Sequence, residues 1–473
     1  MSTTQNMSAR ERIDFLLDDN SFVEIGGAVK ARSTDFNLLS DAKENDGVIT
    51  GFGLIGGKLC YVYSQDSSVL GGSIGEMHAR KIVGLYAKAI SMGAPIIGLI
   101  DSTGVRVKES ADAIHALAKI YKCMAKASGV IPQFTGVFGN CGGGLAVLTA
   151  MSDFTYAVTG TKLYVNTPNS FAGNYTEKLD TADVSYQATE TDNIDFVGSS
   201  EEVLSGLRNL VDILPENNEE EIFTECTDDL NRKVSGIENG IKDITIALSM
   251  ISDNGEVVAL KENYAPSMVT AFIKLNGATI GVVANRSVSY DEEGNVVDEY
   301  EDKLTSEGCV KAADFVNFCN TFNIPVLSIT NVTGYVATEY NEKKIAKASA
   351  KLAYAFAYAT VAKVNLIVGE AYGSALAIMN SKGLGADMVY AWPDAQVGAM
   401  KSLDAAKIVA VDGDVNAAKD KFDELNNSVS AASSRGYVDT IINPEDTRKY
   451  LIGAFEMLYS KVDTNPDKKN GTI

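Results

Sequence analysis

The chain has 473 residues, 45% of them hydrophobic and 22% charged, which is typical of a globular protein large enough for two domains. Its formal net charge of −21 argues against nucleic acid and anionic membranes as partners, because both select clustered lysine and arginine. The sequence shows neither a signal-peptide core nor a run of about 18 apolar residues, so we predict a cytoplasmic protein.

Histidine and cysteine are too few and too scattered to suggest a metal centre. The chain has two histidines, His78 and His115, and six cysteines that form no C-x-x-C pair. We therefore predict no bound metal, free thiols, and no chemistry that depends on a histidine base.

The first half of the chain predicts strands and helices in alternation. Two strands joined by a glycine turn start at Val48, an amphipathic helix starts near Met77, and a buried strand, PIIGLID, starts at Pro95. A second helix and a second buried strand, PQFTGVFG from Pro132, lead into a turn that opens a third helix. Short apolar strands separated by helices predict a parallel sheet within an α/β fold.

The second half repeats this order of elements. PIIGLIDSTGVRVKE from Pro95 aligns with PVLSITNVTGYVATE from Pro325, and Gly139 aligns with Gly369 at the same separation. The upstream strands align at a shorter separation, and the difference falls in an acidic stretch, SYDEEGNVVDEYEDK, which we interpret as a surface insertion. A helix-ending proline followed by an acidic run separates the copies, and we place the domains at residues 1–225 and 226–473.

Each copy has a turn of small residues where a buried strand ends and a helix begins. The first turn contains Gly142, Gly143 and Gly144, and the second contains Gly373, Ser374 and Ala375. No Lys-Ser or Lys-Thr follows, which excludes a P-loop. The first amides of a helix have no acceptor within it, and the helix dipole adds positive charge there. We therefore predict that each turn stabilises a negatively charged oxygen through the backbone alone.

A serine hydrolase is one alternative, because GGSIG from Gly71 to Gly75 matches the G-x-S-x-G pattern. A nucleophile elbow follows its strand directly, whereas SQDSSV separates Ser73 from the strand that ends near Tyr63. The downstream histidines also lie too close for the usual order of serine, acid and histidine. The pattern therefore favours a pocket loop over a nucleophile.

A hydratase or isomerase is a second alternative, with Glu109 or Asp153 as the carboxylate beside the first turn. We interpret Glu109, with Asp101 and Arg106, as a structural network at a strand end. A non-catalytic scaffold is the third alternative. GAMKS, Gly398 to Ser402, is similar to a biotin attachment site, but the surrounding sequence leads into a helix and we interpret it as a coincidence.

Seven blocks of the chain resemble, in order, the biotin-dependent acyl-CoA carboxyltransferases. They include DGVITGFG from Asp46, GGSIGEMHARKI from Gly71, GNCGGGLAV from Gly139 and EAYGSALAIM from Glu370. This group contains the β subunits of propionyl-CoA and acetyl-CoA carboxylases and the carboxyltransferase subunits of sodium-pumping methylmalonyl-CoA and glutaconyl-CoA decarboxylases. The resemblance implies two tandem crotonase-like domains, the first for the acyl-CoA and the second for carboxybiotin.

The resemblance also implies a role for each turn. The amides of Gly143 and Gly144 would hold the thioester oxygen of the acyl-CoA enolate, and those of Ser374 and Ala375 the ureido oxygen of biotin. Gly142 and Gly373 would complete the two binding turns, and Gly71 and Gly72 would form part of the acyl-CoA pocket. We expect a valine at position 144 to abolish turnover without disturbing the fold.

Partners follow from the same resemblance. Biotin would arrive on a separate biotin carboxyl carrier protein, with a biotin carboxylase or a membrane decarboxylase subunit as the further partner. The site would lie between the first domain of one subunit and the second domain of another, which implies a homo-oligomer, from dimer to hexamer. Five basic residues are candidates to face the phosphates of coenzyme A: Arg10, Arg12, Arg80, Lys81 and Lys108. The acyl group and the direction of transfer stay open.

The chain departs from the family pattern in both copies. In the second copy the usual Pro-Gly-Phe reads Thr333-Gly334-Tyr335, and Ser374 stands where a second glycine is common. In the first copy a usual Gly-Gly-Ala stretch with a following histidine is replaced by YTEKLDTADVSYQATETDNIDFVG, which has no histidine.

Overall fold

The computed structural model describes residues 7–32, 44–291, 293–410 and 413–465. The chain forms two compact units, Met1–Glu221 and Ile222–Ile473. The division lies in the acidic segment in which the sequence predicts a boundary, although that prediction puts it after residue 225.

The first unit is an eight-stranded sheet with helices. Its strands are β1 (Val23–Glu24), β2 (Val48–Ile55), β3 (Lys58–Gln65), β4 (Ile96–Ser102), β5 (Gln133–Gly142), β6 (Phe154–Val158), β7 (Lys162–Tyr164) and β8 (Phe196–Gly198). Its helices are α1 (Ala9–Leu16), α2 (Glu76–Met92), α3 (Ser110–Ala127), α4 (Gly144–Thr149), α5 (Val184–Glu190) and α6 (Ser200–Ile213). The strand order is β1-β2-β3-β4-β5-β6-β8, with β7 beside β5. β3 to β6 run parallel, and β2 pairs antiparallel with β3.

The second unit has the same architecture. Its strands are β9 (Val257–Leu260), β10 (Met268–Leu275), β11 (Ala278–Asn285), β12 (Val288–Tyr290), β13 (Val296–Glu299), β14 (Val326–Val332), β15 (Lys363–Tyr372), β16 (Met388–Ala391), β17 (Gln396–Gly398) and β18 (Thr440–Ile441). Its helices are α7 (Ile237–Gly240), α8 (Ile244–Ile251), α9 (Ser306–Thr321), α10 (Glu339–Glu342), α11 (Ile345–Tyr358), α12 (Gly373–Ile378), α13 (Ser402–Val409), α14 (Val415–Phe422), α15 (Val429–Ser434) and α16 (Thr447–Leu458). The sheet order is β18-β16-β15-β14-β11-β10-β9, with β17 beside β15.

The repeat seen in the sequence is a repeat of structure. The strands β4 and β14, and likewise β5 and β15, begin and end with the same separation that relates Pro95 to Pro325, and each pair holds the same place in its sheet. The acidic insertion of the second copy contributes the antiparallel pair β12 and β13, which is separate from the main sheet. The separations read from the sequence therefore correspond to equivalent elements.

Apolar helix faces cover each sheet. In the first unit, Ile82 and Leu85 of α2 and Ile120 of α3 join Ile96 and Ile100 of β4 in one buried cluster. Each such side chain stabilises the fold by roughly 1.5–3 kcal/mol when fully removed from water. This packing fixes the ends of β4 and β5, where the candidate site lies.

A buried lysine occupies the same position in both units. The Lys81 ammonium of α2 donates to the carbonyl oxygens of Asn45, at 3.2 Å, and Val48. The Lys311 ammonium of α9 donates to the carbonyl oxygens of Lys261 and Tyr264, both at 2.8 Å. Each lysine thus ties its helix to the segment before the first strand hairpin.

Candidate functional site

The first glycine turn connects β5 to α4. Gly142 ends the strand, and Gly143 follows with φ 61° and ψ −125°, a conformation that only glycine adopts without strain. Among the described residues, no atom beyond its chain neighbours lies within 4 Å of the place where a Cβ on Gly143 would stand. Gly143 is therefore required by its backbone angles, and the space beside it is open.

Two glycines that precede Gly143 are required by close neighbours. A Cβ on Gly139 would lie 2.0 Å from Asp101 Oδ1, at the end of β4. A Cβ on Gly142 would lie 2.8 Å from the phenol ring of Tyr164. Each of these glycines is therefore required by a different neighbour, and the glycine-rich sequence does not serve one common ligand-binding loop.

Gly144 packs against helix α3. A Cβ at this position would lie 2.6 Å from Leu117 Cδ2 and 2.7 Å from Tyr121 Oη, and the Tyr121 hydroxyl donates to the Gly144 carbonyl at 2.6 Å. A valine at position 144 would require the ends of the Leu117 and Tyr121 side chains to move, so the expectation that it leaves the fold intact stays a prediction. The amide of Gly144, the first residue of α4, has no acceptor within the helix.

The amide of Gly143 has a partner in its own sheet. It donates to the carbonyl oxygen of Tyr164 at 2.8 Å, which extends the pairing of β5 with β7 by one residue. The prediction that Gly143 presents a bare amide is corrected by this bond. Gly143 shapes the turn, and Gly144 presents the amide at the start of the helix.

The second turn also places a glycine with positive φ after its strand. Gly373 follows β15 with φ 62° and opens α12, and a Cβ there would lie 3.3 Å from the Ala399 carbonyl. A Cβ on Gly369 would lie 2.5 Å from Asn331 Oδ1, as Gly139 meets Asp101 in the first unit. The structure thus places a glycine with positive φ at the carboxyl end of the equivalent strand in each unit.

Side chains distinguish the second turn from the first. Ser374 is exposed and Ala375 is buried. The Tyr335 hydroxyl, from the loop after β14, lies 3.2 Å from Ser374 Oγ. The corresponding residues of the first unit, Val105 and Gly144, carry no hydroxyl group.

A pocket of about 350 Å³ opens beside the second turn. Gly373 and Ala399 form one edge, and its apolar wall comes from α12 and the neighbouring strands and helix, with Ile367, Leu376, Val389, Val397 and Ala432. A volume of this size with mainly apolar walls is typical of a small-molecule site.

Gly71 and Gly72 lie in a tight loop against the end of β4. Both have positive φ, 65° and 62°, and a Cβ on Gly72 would lie 2.3 Å from the Asp101 carbonyl. The amide of Thr103 donates to the Gly71 carbonyl at 3.0 Å. The loop is thus held beside the first strand end, and its contact with acyl-CoA stays a prediction.

Ser73 has a structural environment. Its hydroxyl donates to the Leu70 carbonyl at 2.7 Å and accepts from Arg106 Nε at 3.2 Å, and the side chain is buried. His78 Nδ1 lies 2.9 Å from the Asp46 carbonyl rather than beside the serine. This geometry removes the basis for a serine hydrolase.

Neither carboxylate considered for a hydratase is available as a base at the first turn. One is held in an ion pair, and the other lies far from the turn. Glu109 is buried and ion-paired with Arg106 at 2.9 Å, as expected for a structural network. Asp153 accepts from the amide of Gln133 at 2.8 Å, at the amino end of β5. The turn lies at the other end of this ten-residue strand, about 30 Å away.

Two of the five basic residues proposed to face coenzyme A are buried in the fold. Arg12 is ion-paired with Asp101 at 2.9 Å, and Lys81 donates to backbone carbonyls. The expectation is wrong for both, since neither side chain reaches the surface. Arg10, Arg80 and Lys108 are exposed and keep this role as a prediction.

Lys401 of the GAMKS sequence lies between β17 and helix α13, and its ammonium pairs with Glu370 at 2.8 Å. This is not the tip of a β-hairpin. Within the described parts of the chain, no group of three or more His, Cys, Asp or Glu side chains could hold a metal ion. No helix among the described residues is long and apolar enough to cross a membrane.

Comparison with known proteins identifies the relatives of this fold. The carboxyl transferase domain family matches residues 4–473. The chain belongs to the carboxyl transferase family. The predicted resemblance is confirmed over almost the whole chain.

Named relatives match at nearly full length. The chain is 35% identical to the carboxyltransferase subunit of propionyl-CoA carboxylase from Haloferax mediterranei, over 99% of this chain and 93% of that protein. It is 35% identical to methylmalonyl-CoA decarboxylase subunit alpha from Veillonella parvula, with the same coverage. It is 34% identical to the 12S subunit of methylmalonyl-CoA carboxyltransferase from Propionibacterium freudenreichii subsp. shermanii, over 98% of this chain and 91% of that protein.

A solved structure extends this likeness to three dimensions. The crystal structure of transcarboxylase 12S with hydrolysed methylmalonyl-coenzyme A superposes with a TM-score of 0.89 at 32% identity, covering 98% of this chain and 92% of that one. The crotonase-like α/β fold predicted from the sequence is confirmed. The predicted class of enzyme, a biotin-dependent acyl-CoA carboxyltransferase, is confirmed as well.

Proposed function

We propose that this subunit transfers a carboxyl group between the α-carbon of the methylmalonyl-CoA and propionyl-CoA pair and biotin on a separate carrier protein. The observation that carries the proposal is the repeated turn, with glycines of φ 61° and 62° at the carboxyl ends of equivalent strands. The named relatives include propionyl-CoA carboxylases and methylmalonyl-CoA decarboxylases, which favours this acyl pair over acetyl and malonyl.

The first turn would act on the acyl-CoA. When the carboxyl group leaves methylmalonyl-CoA, the carbon–carbon bond breaks and its electron pair moves onto the thioester oxygen. The amide of Gly144, at the positive end of α4, is placed to stabilise that oxygen. Removal of one such donor typically slows an enzyme about 100- to 1000-fold. Gly143 would hold the turn in the conformation that exposes this amide.

The second turn would hold biotin, with the amides of Ser374 and Ala375 facing the ureido oxygen. The residues present fit such a group, because an apolar pocket of about 350 Å³ borders the turn and suits a compact ring system with one polar edge. Biotin supplies the ureido nitrogen that carries the carboxyl group. The chain contributes the pocket walls, the backbone donors and the orientation of the ring system.

Side-chain acids and bases would play little part. Glu109 and Ser73 are held in the buried network around Arg106, and Asp153 lies at the opposite end of β5. The contribution of the protein is therefore electrostatic stabilisation and positioning by backbone groups.

We further propose that the protein is a homo-oligomer in which the first unit of one subunit and the second unit of another share a site. The family resemblance supports this arrangement, and the similar transcarboxylase 12S is described as a hexamer. A biotin carboxyl carrier protein would be one partner, as the family resemblance implies. A biotin carboxylase or a membrane decarboxylase subunit would be the other, depending on direction.

The test is decarboxylation with free biotin. The purified protein is incubated with methylmalonyl-CoA, malonyl-CoA or glutaconyl-CoA, with and without biotin, and the decarboxylated thioester is measured by chromatography. We expect biotin-dependent formation of propionyl-CoA, faster than the products of the other two substrates. Absence of turnover with all three would contradict the proposal and favour a scaffold.

A matched pair of variants links turnover to the second turn. Ser374→Pro deletes one amide in the first turn of α12, where proline is tolerated because no intrahelical bond is lost. Ser374→Ala keeps that amide. We expect the proline variant to be at least tenfold slower than the alanine variant. Equal rates would show that this amide does not contact the reacting group.

A further inference from the structure

The second turn contains a pair of hydroxyl groups that the family pattern lacks. Tyr335 replaces the usual phenylalanine, and Ser374 replaces a common glycine. These residues are 39 positions apart in the chain, yet their hydroxyl oxygens lie 3.2 Å apart. Two departures from the pattern therefore meet at one point of the structure.

The hydroxyl pair lies beside the second turn, at the start of α12. Ser374 is the second residue of α12 and is exposed, whereas Tyr335 is half-buried in the loop after β14. Tyr335 follows the carboxyl end of β14, and Ser374 follows the carboxyl end of the neighbouring parallel strand β15, where α12 begins with its unpaired first amides. In the first unit Val105 and Gly144 hold these positions, so the hydroxyl pair is specific to one turn.

The direction of the hydrogen bond leaves a donor available. The Tyr335 hydroxyl donates to Ser374 Oγ, so the hydrogen of the serine hydroxyl points elsewhere. No hydrogen bond donated by the Ser374 hydroxyl is found among the described residues. A hydroxyl that accepts one hydrogen bond becomes a stronger donor in the next.

We infer that the Ser374 hydroxyl donates a third hydrogen bond to the anionic oxygen held by the second turn, beside the amides of Ser374 and Ala375. Tyr335 is a positioning residue, which orients and polarises the serine. The inference rests on the proposed function and assigns side-chain donors to the turn that would hold the ureido oxygen. A hydrogen bond to a charged oxygen is stronger than one to a neutral oxygen, so the pair would act mainly as charge develops.

The test compares variants in the free-biotin assay, with kcat and the KM for biotin measured separately. Ser374→Gly and Ser374→Ala are expected to lower kcat about 10- to 100-fold with little change in KM, because the lost bond strengthens in the transition state. Ser374→Thr keeps the hydroxyl and is expected to restore most of the rate. Tyr335→Phe is expected to lower kcat less, about 3- to 10-fold.

The double variant Tyr335→Phe/Ser374→Gly separates positioning from direct contact. If Tyr335 acts only through the serine, the double variant will be as slow as Ser374→Gly alone. Two control variants, Tyr340→Phe and Ser249→Ala, alter other hydroxyls of the same unit and are expected to keep the wild-type rate.

The outcomes distinguish this inference from the proposed function. An inactive wild-type protein would overturn the proposed function itself. An active wild type whose rate is unchanged or increased in Ser374→Gly and Ser374→Ala would overturn the inference alone. Multiplicative losses in the double variant would show that Tyr335 acts independently, which would overturn its positioning role.

Discussion

His78 is a fully buried histidine with both ring nitrogens engaged. Nδ1 lies 2.9 Å from the Asp46 carbonyl and Nε2 lies 3.2 Å from the Gln65 side-chain amide. Burial, helped by the positive charge of Arg106, lowers the pKa of His78 from its ordinary 6.5 to about 3. The neutral form is favoured in the folded state, so this stability is fully present above pH 6.5 and is lost as the pH falls toward 3.

The histidine predicts a difference in acid sensitivity. Between pH 6.5 and 4, the free energy of unfolding should fall more steeply in the wild type than in His78→Asn, by up to about 1.4 kcal/mol per pH unit. Urea unfolding at several pH values measures this slope. His115→Asn is the matched control, because His115 is exposed on α3 and its variant should follow the wild type. Parallel curves for His78→Asn and the wild type would contradict the prediction.

Gly144 has a structural requirement as well as a proposed catalytic one. We predict that Gly144→Ala lowers the free energy of unfolding by about 1–3 kcal/mol, because its Cβ would overlap Leu117 and Tyr121. Gly84→Ala is the control in the same unit, since no atom of the described residues outside its own helix turn lies within 4 Å of its added Cβ and alanine favours the helix α2. It should be neutral or stabilise the unit. Equal stability of both variants in urea unfolding would show that α3 yields readily.

The buried lysines show how equivalent helices are anchored. Lys311→Met should lower the free energy of unfolding by about 2–4 kcal/mol, because the carbonyls of Lys261 and Tyr264 lose their donor. Lys347→Met, on the exposed face of α11, should change it by less than about 0.5 kcal/mol. Thermal or urea unfolding of both variants measures the contrast. A small effect at Lys311 would mean that another donor or water replaces the ammonium.

Local sequence patterns were sufficient for the repeated elements but not for the end of β5. The apolar run predicts a strand that ends at Gly139, whereas β5 continues to Gly142. The extension depends on pairing with β7, which also supplies the Tyr164 carbonyl that accepts from Gly143. Such a partner comes later in the chain, beyond α4 and β6, and leaves no periodic signal in the strand itself. For this reason, the engaged amide of Gly143 was missed.

The hydroxyl pair of the second turn was within reach of sequence reasoning. Tyr335 and Ser374 both depart from the family pattern, and Val105 and Gly144 precede them by the same separation that relates the two copies. The distance of 3.2 Å between their hydroxyl oxygens could be seen only in the structure. The sequence does not determine how far the loop after β14 lies from the start of α12. The fold was therefore more predictable than the side-chain content of the site.

At the scale of the whole molecule, the proposed shared site predicts complementation between inactive subunits. Gly143→Ala strains the first turn through its positive φ, and Ser374→Pro deletes an amide of the second turn. When the two variants are mixed in one oligomer, an intact first unit and an intact second unit can meet across subunits. Random mixing should restore roughly a quarter of the wild-type activity.

The complementation experiment requires each variant to be folded, oligomeric and nearly inactive when it is alone. Activity of the co-expressed, tag-purified mixture is then compared with that of either variant. No recovery in a verified mixed oligomer would mean that both turns of a site come from one subunit.

The ion pair between Arg12 and Asp101 connects helix α1 to the end of β4, beside the first turn. Asp101 packs its side chain over Gly139, and Arg12 of α1 neutralises that carboxylate from a position 89 residues earlier in the chain. A tag or fusion that unwinds α1 would therefore leave an uncompensated charge wedged beside the strand that leads to the first turn. A disruption of α1 would then lower turnover, although no residue of either turn had been changed.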